Sequence, residues 1–274
     1  MPEDHASVVT DGSSETFARQ VIRHLLKALG VAALVATAFT AWTPASLDPG
    51  ELVGQLLAAI ERQEPLATAD PGQAMLPTER AALRIGIVAG HSGLHRTSGL
   101  PDPGAVCPDG LTELDINLSI AQEVVTMLQQ AGFQVDLLEE FDERLEGYKA
   151  VAIISIHADS CLPINDDATG FKAAAALDTQ VPDRSQRLVT CLVDRYAQAT
   201  QLRFHPTSIT RDMTEYHTFY EIDEQVPAAI IEAGFMFLDR EFLTEQPEVA
   251  ARGIVDGLLC YVNNEPAEIP ENQP

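Results

Sequence analysis

Leu83-Arg84-Ile85-Gly86-Ile87-Val88-Ala89-Gly90-His91-Ser92-Gly93 is the stretch on which the reading of the chain turns. A β-branched run ends in glycine, and a histidine follows at once. A buried strand that feeds a loop is how an α/β sheet presents a reactive side chain at its carboxyl edge. Glycines on either side let the backbone pass close to whatever His91 holds. Taken alone, a histidine at a strand end is more often a hydrogen-bonded structural residue than a ligand. Its meaning depends on what else converges there.

Outward from this stretch, strands and helices alternate. Apolar runs at 133–138, 150–156 and 228–233 predict further strands, and 170–175 predicts a weaker one. The run at 150–156 is so continuously apolar that it belongs in the middle of the sheet. Helical spacing covers 114–131, where Gly132 stops the helix, then 185–198 and 248–261. The pattern predicts an α/β fold: an open, mainly parallel or mixed twisted sheet of about six strands with helices on both faces.

The chain has 274 residues, 46% of them hydrophobic, enough for one medium domain with extensions. The formal net charge is −24, with Lys27, Lys149 and Lys172 as the only lysines. That balance argues against nucleic acid, whose phosphates call for Lys and Arg, and against docking on anionic lipid. The four cysteines, Cys107, Cys161, Cys191 and Cys260, show no C-x-x-C spacing, which speaks against a cysteine zinc site or redox pair.

Ahead of the domain, residues 1–22 are polar and predicted to be disordered. Arg19, Arg23, His24 and Lys27 then precede an apolar run at 28–42. Positive charge before an apolar core is an export signature that leaves the amino terminus in the cytoplasm. Residues 23–43 are therefore expected to be a membrane anchor or signal sequence. The weak cleavage triplet Ala36-Thr37-Ala38 lies inside the apolar core, which favours a retained anchor. Residues 44–79, with a helix opening at Asp48-Pro49-Gly50-Glu51 and prolines after it, predict a helical stalk and linker. The folded domain is expected at 80–263, and the proline-rich 264–274 as a disordered tail.

In a sheet wound this way, functional residues belong at strand carboxyl ends and on the loops beyond them. His91 ends the first strand, Glu113 starts the helix after a Gly/Pro/Asp-rich loop, His157 ends VAIISI, and Glu232 ends AAIIE. Each has an ordinary explanation. Glu113 suits a helix dipole, and His157 suits a satisfied core histidine. Glu232 is harder to dismiss, because a carboxylate closing an apolar strand is costly to bury without a partner. Together, two histidines, a glutamate and an open position make a catalytic zinc set, and a further carboxylate supplies proton transfer.

The order G-H-S-G (90–93), D-P-G-A (102–105), E-L-D-I-N-L (113–118), S-I-H-A-D (155–159) and I-I-E-A-G-F (230–235) resembles the zinc-dependent N-acetylmuramoyl-L-alanine amidases of the type 3 catalytic domain. The resemblance covers about 83–262. It implies that His91, Glu113 and His157 bind one catalytic zinc ion, and that Glu232 is the catalytic acid/base. The implied substrate is peptidoglycan, cut at the amide between N-acetylmuramic acid and L-alanine by an exported, extracytoplasmic enzyme. The family usually carries G-H-G-G where Ser92 stands, and Asn where Asp159 stands. Neither change removes a ligand or the general base.

Asp115, Asn117 and Asp159 are candidates to orient the histidine rings, with a helix-start or solvated loop role as the alternative. Arg211, Tyr216 and His217 are candidates to contact a peptide carboxylate or carbonyl. If both histidines meet at one metal, Cys107 and Cys161 lie on neighbouring loops, and an exported domain could join them in a disulfide. Cys191 and Cys260 fall on helical patterns and are expected to be small buried hydrophobes. Two other readings stay open. One is a zinc peptidase acting on wall stem peptides, against which the lack of a His-x-x-Glu pair speaks. The other is an inactive, anchored wall-binding module, against which the intact set of four residues speaks.

Overall fold

The computed structural model describes residues 80 and 82–270. The segments expected at 1–22, 23–43 and 44–79 lie outside the described residues, as does the end of the tail. Five strands form one sheet in the order β2-β1-β3-β5-β4: β1 Arg84–Ala89, β2 Gln134–Glu139, β3 Ala152–Asp159, β4 Lys172–Ala175 and β5 Ala228–Phe235. The first three and β5 run parallel, and β4 is an antiparallel edge. The sheet is open and mostly parallel, as the alternation predicted, with five strands among the described residues where about six were expected. The continuously apolar run indeed occupies the centre: β3 is buried at every position but its last.

Helix α1 (Glu113–Gln130) opens on a capping box in which Thr112 accepts from the Asp115 N–H and the Asp115 side chain accepts from the Thr112 N–H. Helix α2 (Pro182–Thr200) starts with proline in its first turn, and its chain leaves through a left-handed Gln201. Two short helices, α3 (Arg211–Thr214) and α4 (Thr218–Glu221), precede β5, and α5 (Arg240–Glu245) and α6 (Pro247–Val262) follow it. The three long helices α1, α2 and α6 share one core with Ile85, Ile87, Ile154, Ile156 and Ile231. The opposite face, with Val88, Ile153 and Ile230, is covered by α3, α4 and the loop carrying Leu145 and Tyr148. Among the described residues, no helix is long and apolar enough to cross a membrane.

Helices α2 and α6 approach very closely. A Cβ on Gly253 would lie 2.8 Å from Tyr196 Cδ2, and one on Gly257 would lie 2.8 Å from Leu192 Cα. This proximity joins Cys191 and Cys260 in a disulfide, with a Cα–Cα separation of 5.7 Å. The expectation of two separate buried hydrophobes is corrected. Both residues are fully buried, but helical periodicity gives the face a cysteine occupies and not the helix that face meets. Past α6 the chain is held at first: Arg195 donates to Glu265 Oε2 at 3.2 Å and to the Pro266 carbonyl at 3.1 Å.

Candidate metal centre

The parallel strands end along one edge, and the chemistry gathers there. His91 follows β1 by two residues and adopts a left-handed backbone, φ 61°. Outside glycine that conformation costs about 1–2 kcal/mol, so the surroundings must hold it. The His91 N–H donates to Glu140 Oε2 at 2.6 Å, directly beyond the end of β2. Glu113 is the first residue of α1 and is buried. His157 and Glu232 sit inside β3 and β5 rather than at their ends, because both strands run past the apolar stretch. They are register partners, and the pairing shifts just beyond them, where Asp159 meets Phe235. Such bulges commonly re-aim side chains beside active sites.

Ligand-capable atoms of His91, Glu113 and His157 all lie within 4.8 Å of one another. His91 Nε2 is 3.3 Å from Glu113 Oε2, and His157 Nδ1 is 3.1 Å from Glu113 Oε1. Glycines make this packing feasible. A Cβ on Gly90 would stand 2.3 Å from His157 Cε1, and one on Gly104, itself at φ 66°, would stand 2.6 Å from Glu113 Oε2. The Gly90 carbonyl also accepts from Asn117 Nδ2 at 3.0 Å, and the same amide reaches Glu113 Oε1 at 3.3 Å. Asn117 therefore steadies the carboxylate and the loop rather than a histidine ring.

Tyr216 donates its hydroxyl to Glu140 Oε1 at 3.1 Å, and its oxygen lies 3.3 Å from His157 Nε2. A hydroxyl that donates to a carboxylate is free to accept from the imidazole Nε2, while Nδ1 of the same ring faces Glu113. At His91, Asp102 Oδ2 is 3.3 Å from Nδ1, close enough for charge attraction though not aligned as a hydrogen bond. Two imidazole nitrogens thus face one carboxylate, an arrangement that one shared cation would satisfy.

The electrostatics favour positive charge in this place. Burial opposes charging His91, but the hydrogen bond to Glu113 and the Glu113, Glu140 and Asp102 charges outweigh it and raise the ring to about 9. Burial would push the Glu113 carboxyl up, yet His157 and His91 hold it well below the usual range. Glu140 is likewise opposed by burial and held down to about 2 by His217, His157 and His91. Glu232 goes the other way. Burial raises it to about 7, the Glu113 charge adds to the rise, and only His157 and Lys172 pull it back. Its Oε2 is buried with no hydrogen-bond partner.

Other candidates fall elsewhere. Asp115 is taken by the Thr112 cap at the helix surface and reaches no histidine ring. Asp159 accepts from the Ser160 N–H at 2.6 Å and pairs with the buried Lys172, so it too is diverted from the rings. Arg211 is exposed and paired with Glu215 one turn on, at 2.8 Å. His217 belongs with the cluster: it stacks on Phe141 at 4.4 Å and places Nε2 3.3 Å from Glu140 Oε1. Cys107 and Cys161 form a disulfide between the loop that leads into Glu113 and the loop that follows the His157 strand. The sequence reading missed Glu140. Glu140 follows QVDLLE, a strand that is itself half polar, so nothing local set it apart.

An open, mostly parallel α/β sheet with His, Glu and His gathered at its carboxyl edge, and a raised carboxyl in register with one of them, defines a hydrolase with a candidate site for one metal ion. The model of the N-acetylmuramoyl-L-alanine amidase family (Amidase_3) matches residues 85–259, and the chain belongs to that family. Solved structures agree in fold. The amidase AmiC2 of Nostoc punctiforme is 25% identical with a TM-score of 0.51, covering 66% of this chain and 97% of that one. Ami1 from Mycobacterium smegmatis is 19% identical with a TM-score of 0.54, covering 68% and 99%. An amidase from Clostridium difficile 630 is 19% identical at 0.52, covering 68% and 100%. Among curated proteins, none matches the chain.

Proposed function

We propose that the chain hydrolyses the amide joining N-acetylmuramic acid to L-alanine in peptidoglycan, using one zinc ion held by His91, Glu113 and His157. The family membership supplies the bond and the polymer. The gathering of the three donor side chains within 4.8 Å carries the metal reading. Zinc in such a site supplies Lewis acidity, to the amide carbonyl and to the attacking water. The protein residues do the rest. Glu113 and the two rings fix the geometry. Glu232, half-buried and raised to about 7, takes the water proton and returns it to the departing L-alanine amine.

Residues 23–43 serve in this reading as a membrane anchor, with 44–79 as a stalk, so that the enzyme works outside the cytoplasm. The two disulfides agree with an oxidising compartment. Incubation of the purified chain with peptidoglycan tests the activity. Chelator-sensitive release of stem peptides with free L-alanine amino ends is expected. Cleavage within the stem would replace this reading with a peptidase, and no release at all would leave a binding module. Fractionation of the full chain against a chain lacking residues 1–43 tests the anchor, which requires that only the full chain stay with the membrane.

A further inference from the structure

We propose that Glu140 is a positioning residue that holds both histidines of the metal centre at once. The proposal rests on the reading of His91, Glu113 and His157 as ligands, and extends it to a carboxylate outside that set. Glu140 stands directly after β2, at the same sheet edge as the ligands, and is buried. Its two oxygens have separate duties. Oε2 accepts the His91 main-chain N–H at 2.6 Å, and so fixes the backbone of the residue with φ 61°. Oε1 accepts the Tyr216 hydroxyl at 3.1 Å, and Tyr216 oxygen faces His157 Nε2 at 3.3 Å.

One carboxylate therefore acts on one histidine through its main chain and on the other through a tyrosine. The first contact sets where the His91 ring emerges from the loop. The second sets the tautomer and rotation of the His157 ring. Glu140 itself is anchored from behind, since its N–H donates to the Ser92 carbonyl at 3.1 Å. With Oε2 on His91 and Oε1 on Tyr216 and His217, it is engaged as an acceptor rather than offered as a fourth ligand.

The test measures metal, not turnover. Zinc affinity of the full chain, Glu140→Gln, Tyr216→Phe and the double variant is determined by competition with a chromophoric chelator. The zinc-free melting temperature and the visible spectrum of the cobalt-substituted protein are recorded beside it. An amide at position 140 keeps the size but turns a donor toward either the His91 N–H or the tyrosine. E140Q is expected to weaken zinc binding about 10- to 100-fold, to alter the cobalt bands, and to leave the zinc-free melting temperature nearly unchanged. Y216F is expected to weaken binding less, and to add little on top of E140Q, because both act on His157 through one chain of contacts. An E140Q protein that binds zinc within threefold of the parent with an unchanged cobalt spectrum overturns the proposal. If E140Q does not fold, Y216F decides: full affinity with parental cobalt bands overturns it, and weakened affinity supports it. A parent chain that binds no zinc would instead overturn the ligand reading, and the positioning role with it.

Discussion

Glu232 stands opposite His157 in the register of β5 against β3, so the carboxyl with the raised pKa and a ring of the candidate metal centre share one rung of the sheet. Rigid strands, not loops, set their relation. The Glu232 carboxyl is thereby held at a fixed station beside His157, while its own oxygen Oε2 carries no hydrogen bond.

Glu232→Gln should therefore separate binding from chemistry. The amide is isosteric and lies outside the donor set, so zinc content after dialysis should equal that of the parent. Turnover on peptidoglycan should fall at least ~10²- to 10⁴-fold, the usual contribution of a positioned acid/base group. Normal rates in this variant would remove Glu232 from the mechanism.

Zinc uptake should release a proton at neutral pH. His91 is raised to about 9 by the carboxylates around it, and a ligating imidazole must be neutral. Calorimetry at pH 7 in two buffers of different ionisation enthalpy should give close to one proton released, and affinity should climb with pH up to about 9. The same shift has a sign for stability. The folded chain holds the His91 proton more tightly than the unfolded chain does. That stabilisation is complete below about 6.5 and is lost as pH rises through 9. The melting temperature of chelator-treated protein should decline across this window, and His91→Gln should flatten the decline.

Gly90→Ala is the most economical way to damage the site sterically. Gly90 is absent from the positive-φ residues, so alanine meets no backbone penalty, but its Cβ would press within 2.3 Å of the His157 ring. Overpacking of this kind costs about 1–3 kcal/mol, and here the displaced group is one of the three candidate ligands. Zinc retention on dialysis should drop sharply, with only a modest fall in melting temperature. A variant that keeps full metal occupancy would mean that the ring moves aside freely.

Replacement of both Cys191 and Cys260 by alanine should cost stability without touching the chemistry. The disulfide spans a sequence separation of 69 and ties α2 to α6. Loss of such a link typically lowers unfolding free energy by about 2–4 kcal/mol. Denaturant titration should show that drop while kcat on peptidoglycan stays at the parental value.

The sheet and the three long helices were legible in the sequence because their signals are local: β-branched runs, a central strand apolar throughout, Gly132 at a helix end. The gathering of His91, Glu113 and His157 was foreshadowed by their places at strand ends and at a helix start, where a sheet wound this way collects its polar groups. What could not be read was partnership across space. Cys191 and Cys260 each look like ordinary apolar positions, and only the closeness allowed by Gly253 and Gly257 makes them a pair. Asp115 and Asp159 sit at positions suited to supporting the rings, but Thr112 and Lys172 claim them first. Glu140 was missed because the residue before it and four of the six after it are charged too, which makes LLEEFDERLE look like solvated surface.

The Cys107–Cys161 disulfide closes a covalent ring across a sequence separation of 54. Glu113, Glu140 and His157 all lie within that ring. A single proteolytic nick anywhere between the two cysteines opens the ring without releasing a fragment, so Glu113, Glu140 and His157 stay on one covalent object. In an extracytoplasmic setting, with which the disulfides are consistent, such a cut would leave joined what an unlinked loop would let go.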